Sequence, residues 1–288
     1  MALASSDWII DRICDAKSTY MVPDFLRQQL LIYRFSARLS NYMSKSVPRE
    51  SVWPRAHDSI SALVLLEQEF TDLSRSIGPS LPGKSCYKVE DGIKLRRFPA
   101  ENDILLSSIG LQLYVFYLLD SSRSLARKMA LARAFDMAAD LISKLQTLDT
   151  ASDFMKHCPA SYFRATSLAA LFILRLEDSN FSGILDGEKG KQAFNTALSL
   201  LRRASLEDSD LPGRTFKILA QLWTMQGRSQ HSGEEPRLKL RTRLGASLLH
   251  DTMWRWRENF GGQTSASHTP SRRKLPQRHK VAFYVLMV

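Results

Sequence analysis

Apolar residues in this chain recur at intervals of three and four, and hardly any stretch alternates at two. That spacing gathers side chains on one face of an α-helix and leaves no pattern for a half-buried strand, so the expected fold is all-α, a multi-helix bundle. Ile32, Phe35, Leu39 and Tyr42 share one face of a helix predicted over residues 23–45, with Pro23 tolerated in its first turn. Phe194, Ala197, Leu198 and Leu201 form a stripe behind Asp186, whose carboxylate suits an N-cap. The segment "ASYFRATSLAALFILRLEDS" is apolar on nearly every side over residues 165–174, which predicts a central helix surrounded by others. Residues 103–119 read as a further helix. A long, partly basic one is expected over 237–260, where Leu249, Met253, Trp256 and Phe260 align between arginines.

Two stretches break this pattern. Residues 78–100, with three prolines and three glycines, predict a long loop or lid. Beyond residue 260 the glycine, serine and basic composition predicts a disordered tail, ending in the apolar "VAFYVLMV". The expected organisation is one helical domain over 1–260 and a flexible basic tail over 261–288. A chain of 288 residues, 44% of them hydrophobic, has enough apolar material for a substantial core. Its longest apolar runs, "YVFYLL" and "LAALFIL", fall well short of the roughly 20 residues a membrane-spanning helix needs. With no charged-then-apolar leader at Met1, a soluble intracellular protein without a membrane partner is expected.

The net charge of +11 invites a polyanionic partner until it is located. Five of those positive charges lie in residues 261–280, which contain no acid, leaving +6 for the rest of the chain. On the body, Arg237, Lys239, Arg241 and Arg243 are the densest basic cluster and read as a solvated helix face before a nucleic-acid contact. Cys14, Cys86 and Cys158 are too few and too far apart for a disulfide framework, and no Cys or His pair has the spacing of a zinc site. No cofactor or metal is expected.

The segment "DSDLPGRTFKILAQLW" places an acid, a proline and a base ahead of an apolar stripe. Asp210 as N-cap and Pro212 in the first turn read as a helix start. Arg214 opposes the helix dipole there, so a carboxylate partner is expected, Asp210 being the nearest in sequence. Gly78, Gly83, Lys84 and Ser85, in "GPSLPGKS", match the phosphate-binding loop of nucleotide enzymes. The flanks do not fit it: Ser59, Leu63, Leu66, Phe70 and Leu73 ahead of it have helical rather than strand spacing, and no helix pattern follows. His157 and Cys158 are neighbours in sequence whose side chains diverge and read as structural rather than catalytic, and His250 and Asp251, likewise neighbours on a helix, read as a solvated edge rather than a catalytic pair. Among the nominated positions are no catalytic residues, and no enzyme is expected.

Taken in order, "RICDAKSTYMVPDFLRQQLLIYRFSARLS", "LLSSIGLQLYVFYLLD", "ASYFRATSLAALFILRLEDS", "DLPGRTFKILAQLW" and "RLKLRTRLGASLLHDTMWRWRENF" resemble the regulatory region of fungal zinc-cluster transcription factors, the middle homology or fungal-specific domain. The resemblance implies an all-α, non-enzymatic, nuclear regulatory domain that responds to a small-molecule effector or to protein partners, either other transcription regulators or a second copy of itself. Such factors contact DNA through six cysteines holding two zinc ions. Three cysteines cannot build that cluster, so DNA would be reached only indirectly, from a fragment of a longer regulator or a standalone regulatory domain. Trp223, Trp254 and Trp256 are nominated as interaction or pocket anchors. A helical scaffold with no transcriptional role fits the composition equally well.

Overall fold

The computed structural model describes residues 7–14, 22–46, 56–77, 99–119, 124–207, 209–225, 236, 238 and 247–260. Residues 78–98 of the loop expected over 78–100, with Gly78, Gly83, Lys84 and Ser85, lie outside them, as do the basic cluster Arg237, Lys239, Arg241 and Arg243 and the tail 261–288, whereas Pro99 and Ala100 already belong to a helix, with proline in its first turn. Every regular element among the described residues is helical, so the fold is all-α. The chain divides into two compact units between Leu113 and Tyr114.

The first unit contains α1 (Asp7–Cys14), α2 (Asp24–Ser46), α3 (Ala56–Ile77) and most of α4 (Pro99–Val115). Ile32, Phe35 and Leu39 of α2 are buried, as are Leu63, Leu66 and Phe70 of α3. Both triplets step by three and four, the spacing of a single helical stripe. The two helices pack through Phe35 and Phe70, whose ring centroids lie 5.8 Å apart, and Arg38 meets Glu69 at 2.6 Å on the rim. Polar contacts fix the helix ends. Asn102 of α4 donates to the Gln28 side chain at 2.8 Å and to the Phe25 carbonyl at 3.4 Å.

The second unit opens with the end of α4 and a 3-10 turn, Phe116–Leu118. It continues with α5 (Leu125–Ser152), α6 (Ala160–Glu177), α7 (Gly187–Ala204), α8 (Leu211–Met225) and α9 (Ser247–Phe260). Helix α6 is its core. Every residue from Ala165 to Leu176 is buried, and α5, α7, α8 and α9 pack around it. Its buried hydroxyls, Thr166 and Ser167, donate to the carbonyls of Tyr162 and Phe163 at 2.9 Å, so neither polar group is stranded in the apolar surroundings.

Local chemistry sets the helix ends. Ser124 caps α5 by accepting from the Arg127 N–H at 3.2 Å, and Asp186 caps α7 by accepting from Lys189 N–H at 3.1 Å. The α5 terminus closes on Asp153 in the left-handed region, φ 52°, with its N–H bonded to the Asp149 carbonyl at 2.8 Å. Of the helix expected over 237–260, α9 covers Ser247–Phe260, while residues 237 and 239–246 lie outside the described residues. Leu238 is non-helical and buried, and its N–H donates to the Leu118 carbonyl at 3.2 Å, so a tertiary hydrogen bond takes the place of a helical one.

Gly190 lets α7 approach α6 and α5 closely. A Cβ there would sit 2.4 Å from the Glu177 carboxylate and 2.9 Å from the Phe135 ring. Glu177 Oε1 is buried without a hydrogen-bond partner, and burial first, then the nearby Asp186, pushes its pKa up. An acid whose pKa is raised by folding favours the native state below its ordinary value of 4.5, and that advantage is lost as the pH rises through the higher folded value. Glu177→Gln therefore melts at a higher temperature than the native chain at pH 7, and the two converge below pH 4.5. A melting series over that range checks it, and a variant that melts lower at pH 7 contradicts the burial penalty assigned to the Glu177 carboxylate.

Candidate functional site

Two surfaces of the second unit carry side chains beyond what packing requires. The first is an open polar groove of about 1090 Å³ along α5 and α7, lined among others by Gln146, Asp149, Asp153, Gln192, Asn195 and Arg203. Arg203, at the end of α7, bridges Asp149 and Asp153 at the end of α5. Asp149 is buried, and its other oxygen accepts from the Met155 N–H at 2.8 Å, so one carboxylate both pins the arginine and shapes the turn into α6. Hydrogen bonds from Lys156 first, then Arg203, hold the Asp153 carboxyl below its usual range. Further along, Lys189 bonds Asp136 at 2.7 Å and lies 3.9 Å from Asp140, and the Asp136 hydrogen bond holds its ammonium charged. Arg203 and Lys189 are each held by carboxylates, and the groove lining mixes both signs with amide side chains, which suits a ligand recognised by several hydrogen bonds rather than by one strong field.

The second surface is the outer face of α9. The inner face buries Leu248, Leu249, Asp251 and Thr252. Arg255 reaches from α9 to Asp178, the C-cap of α6, at 2.8 Å, and lies 3.6 Å from Asp251. Trp256 donates to the Gln221 side chain of α8 at 2.7 Å and stacks near Phe260, with ring centroids 6.2 Å apart. Trp254 points outward, 59% exposed, its indole N–H bonded to Glu258 at 2.6 Å. An exposed tryptophan on a firmly seated helix is the kind of side chain that anchors interfaces.

The three nominated tryptophans therefore differ in setting. Trp223 lies on the buried Phe194, centroids 4.1 Å apart and rings nearly parallel, so it belongs to the α7–α8 packing. Trp256 ties α9 to α8, and Trp254 faces solvent. Trp254 and Trp256 share α9, whereas Trp223 stands apart from them on α8.

At the start of α8, Asp210 accepts from the N–H groups of Gly213 at 2.7 Å, Leu206 at 2.7 Å and Glu207 at 3.2 Å, and from the Ser205 hydroxyl at 2.9 Å. Burial works to raise its pKa, but these donors, Gly213 foremost, outweigh it and hold the carboxyl low. Pro212 sits in the first turn, and Arg214 follows with its N–H on the Asp210 carbonyl at 3.0 Å. The donors holding the Asp210 carboxylate are backbone amides and a hydroxyl. An acid whose pKa is lowered by folding contributes stability above its ordinary value of 3.8, and loses it as the pH falls through the lower folded value. Asp210→Ala costs about 1–2 kcal/mol at pH 7, the usual cost of losing an N-cap, and removes that acid-side dependence. Denaturant titrations at pH 7 and pH 3 check both parts; an unchanged midpoint at pH 7 denies the cap its role.

Several residues weighed from the sequence find other settings. His157 is exposed, and burial pushes the thiol of Cys158 up while the thiol donates to the Met155 carbonyl at 3.6 Å, the opposite of an activated nucleophile. Asp251 belongs to no solvated edge: it is 1% exposed and faces Arg255. Among the described residues no group of three or more His, Cys, Asp or Glu side chains could hold a metal, and no helix is long and apolar enough to cross a membrane. The Arg203 bridge escaped sequence reasoning. The i, i+4 pair Asp149 and Asp153, one helical turn apart, is its only local trace.

Comparison with known proteins gives one informative match. The chain is 22% identical over 241 residues to the protein named Regulatory protein LEU3 from Saccharomyces cerevisiae, a similarity covering 78% of this chain and 26% of the yeast protein. The chain thus spans about a quarter of the curated relative it matches. No family model matches the sequence, and no solved structure matches the fold.

Proposed function

We propose that this chain is a helical regulatory region of a fungal transcription factor, the middle homology domain its sequence resembles, acting in the nucleus through contacts with other molecules. The observation that carries the reading is the similarity to a yeast regulatory protein along most of an all-α chain. The α9 face presents Trp254 to a protein partner, either another transcription regulator or a second copy of the chain. The α5–α7 groove offers a polar small-molecule effector a set of fixed donors and acceptors. DNA is reached only indirectly.

A fusion of the full chain to an unrelated DNA-binding domain tests this against the scaffold reading. The fusion changes output from a reporter carrying the cognate site, and Trp254→Ala reduces that change at unaltered melting temperature. Truncating an interface tryptophan typically costs 2 kcal/mol or more, so partner occupancy falls by roughly thirtyfold at subsaturating levels. Output equal to that of the DNA-binding domain alone sinks the regulatory reading and leaves a scaffold.

A further inference from the structure

The end of α7 reads "RRASL": Arg202, Arg203, Ala204, Ser205, Leu206. Two arginines three and two residues before a serine, with an apolar residue directly after it, are what serine kinases with acidic substrate clefts and an apolar subsite bind. The carboxylates pair with the guanidinium groups and the subsite takes the following side chain. We propose that Ser205 is a phosphorylation site for a basophilic serine kinase, and that its phosphorylation uncaps α8. The inference goes beyond the proposed function and stands whatever the domain regulates.

Ser205 is itself half-buried, and its flanks are accessible. Ser205 is the C-cap of α7 with extended backbone, φ −85° and ψ 129°, and Leu206 is 86% exposed. Arg202 is exposed, its guanidinium resting 5.8 Å from the Phe216 ring centroid. A kinase grips its substrate extended, so the last turn of α7 must open. That turn ends on a single bond from the Ser205 N–H to the Arg202 carbonyl at 3.3 Å, and helix ends open most readily. Arg203 leaves Asp149 and Asp153 in the same movement, exchanging one pair of carboxylates for the kinase's own.

The hydroxyl is also placed where a phosphate has the largest effect. Ser205 Oγ lies 2.9 Å from both the Glu207 carbonyl and Asp210 Oδ1, so its single proton is shared between two acceptors. A Cβ on Gly213 would fall 2.7 Å from that oxygen, so no space for three further oxygens exists on that side. In the transfer, Ser205 Oγ forms a bond to the γ-phosphorus of a nucleoside triphosphate as the bond to the bridging oxygen breaks. The nucleoside diphosphate leaves, and the hydroxyl proton passes to the kinase's general base. The product carries about two negative charges and no donor beside Asp210. It repels the carboxylate and swings outward, and Asp210 loses its hold on the first turn of α8.

Incubating the full chain with ATP and the catalytic subunit of a cyclic-nucleotide-dependent kinase, followed by mass spectrometric mapping, tests the proposal. Phosphate is found on Ser205 and is absent there in Ser205→Ala. Incorporation falls by roughly tenfold or more in Arg202→Ala, the effect of losing one charge-assisted pair. The phosphorylated chain melts roughly 2–8 °C lower than the unmodified one, as loss of a helix cap requires. If Ser205 stays unmodified in the full chain while a peptide of the same sequence is phosphorylated, the fold withholds the site and the proposal fails. If Ser205 is phosphorylated without any change in melting or in tryptophan emission, α8 is not uncapped and the switch is refuted.

Discussion

Phe194→Ala lowers the stability of the second unit by about 3–5 kcal/mol, the largest effect expected of a single substitution in it. Phe194 is fully buried on α7 and carries the indole of Trp223 on its face at 4.1 Å, so its removal opens a void directly under the α7–α8 contact. The loss combines burial of the ring itself, the void left beneath Trp223, and the stacking energy of about 0.5–1.5 kcal/mol. At about 2–4 °C per kcal/mol, thermal unfolding shifts downward by roughly 6–20 °C. Trp223 emission moves to the red, because the ring that shields it is gone. A cost below about 1 kcal/mol would mean that the stack is peripheral and that α8 is held by other contacts.

Arg255→Met detaches α9 more than it unfolds the unit. The guanidinium answers Asp178 at the end of α6 and Asp251 on its own helix, with both arginine and Asp178 side chains only about one-seventh exposed. Removing one partner of a buried pair leaves charge without its counter-ion and typically costs 3–5 kcal/mol; with this residual exposure about 2–4 kcal/mol is expected. Methionine keeps much of the stem's volume, so the loss measures charge rather than packing. Amide hydrogens of α9 exchange faster, while those of α6 keep their protection. Pairing Arg255→Met with Asp178→Asn in a double-mutant cycle isolates the interaction, and a coupling near zero would rule out the clamp.

The sequence makes the helices legible where one stripe does all the work. Ile32, Phe35 and Leu39, or Phe194, Ala197 and Leu201, each form a local pattern at three and four and are buried in the fold, whereas Tyr42 and Leu198 of the same expected stripes remain exposed and half-buried. The all-apolar run of α6 announced a helix enclosed by others, because a helix greasy on every side has no stable place on a surface. Pattern alone failed at Leu238, within the helix expected over 237–260: it is buried and non-helical and bonds to Leu118 in another element. The Asp178–Arg255 and Gln221–Trp256 pairs join residues 77 and 35 positions apart, and no local periodicity encodes such distances. For the surfaces, composition could nominate three tryptophans, but only the fold separates the one that faces water from the one that lies on Phe194.

The enclosure of α6 also bears on how the chain is made. During translation the greasy segment Ala165–Leu176 leaves the ribosome before any of α7, α8 or α9 exists to shelter it. At roughly 5–20 residues per second it waits several seconds for its cover. Nascent chains stalled between α6 and α9 therefore expose that apolar surface and are natural clients for chaperones.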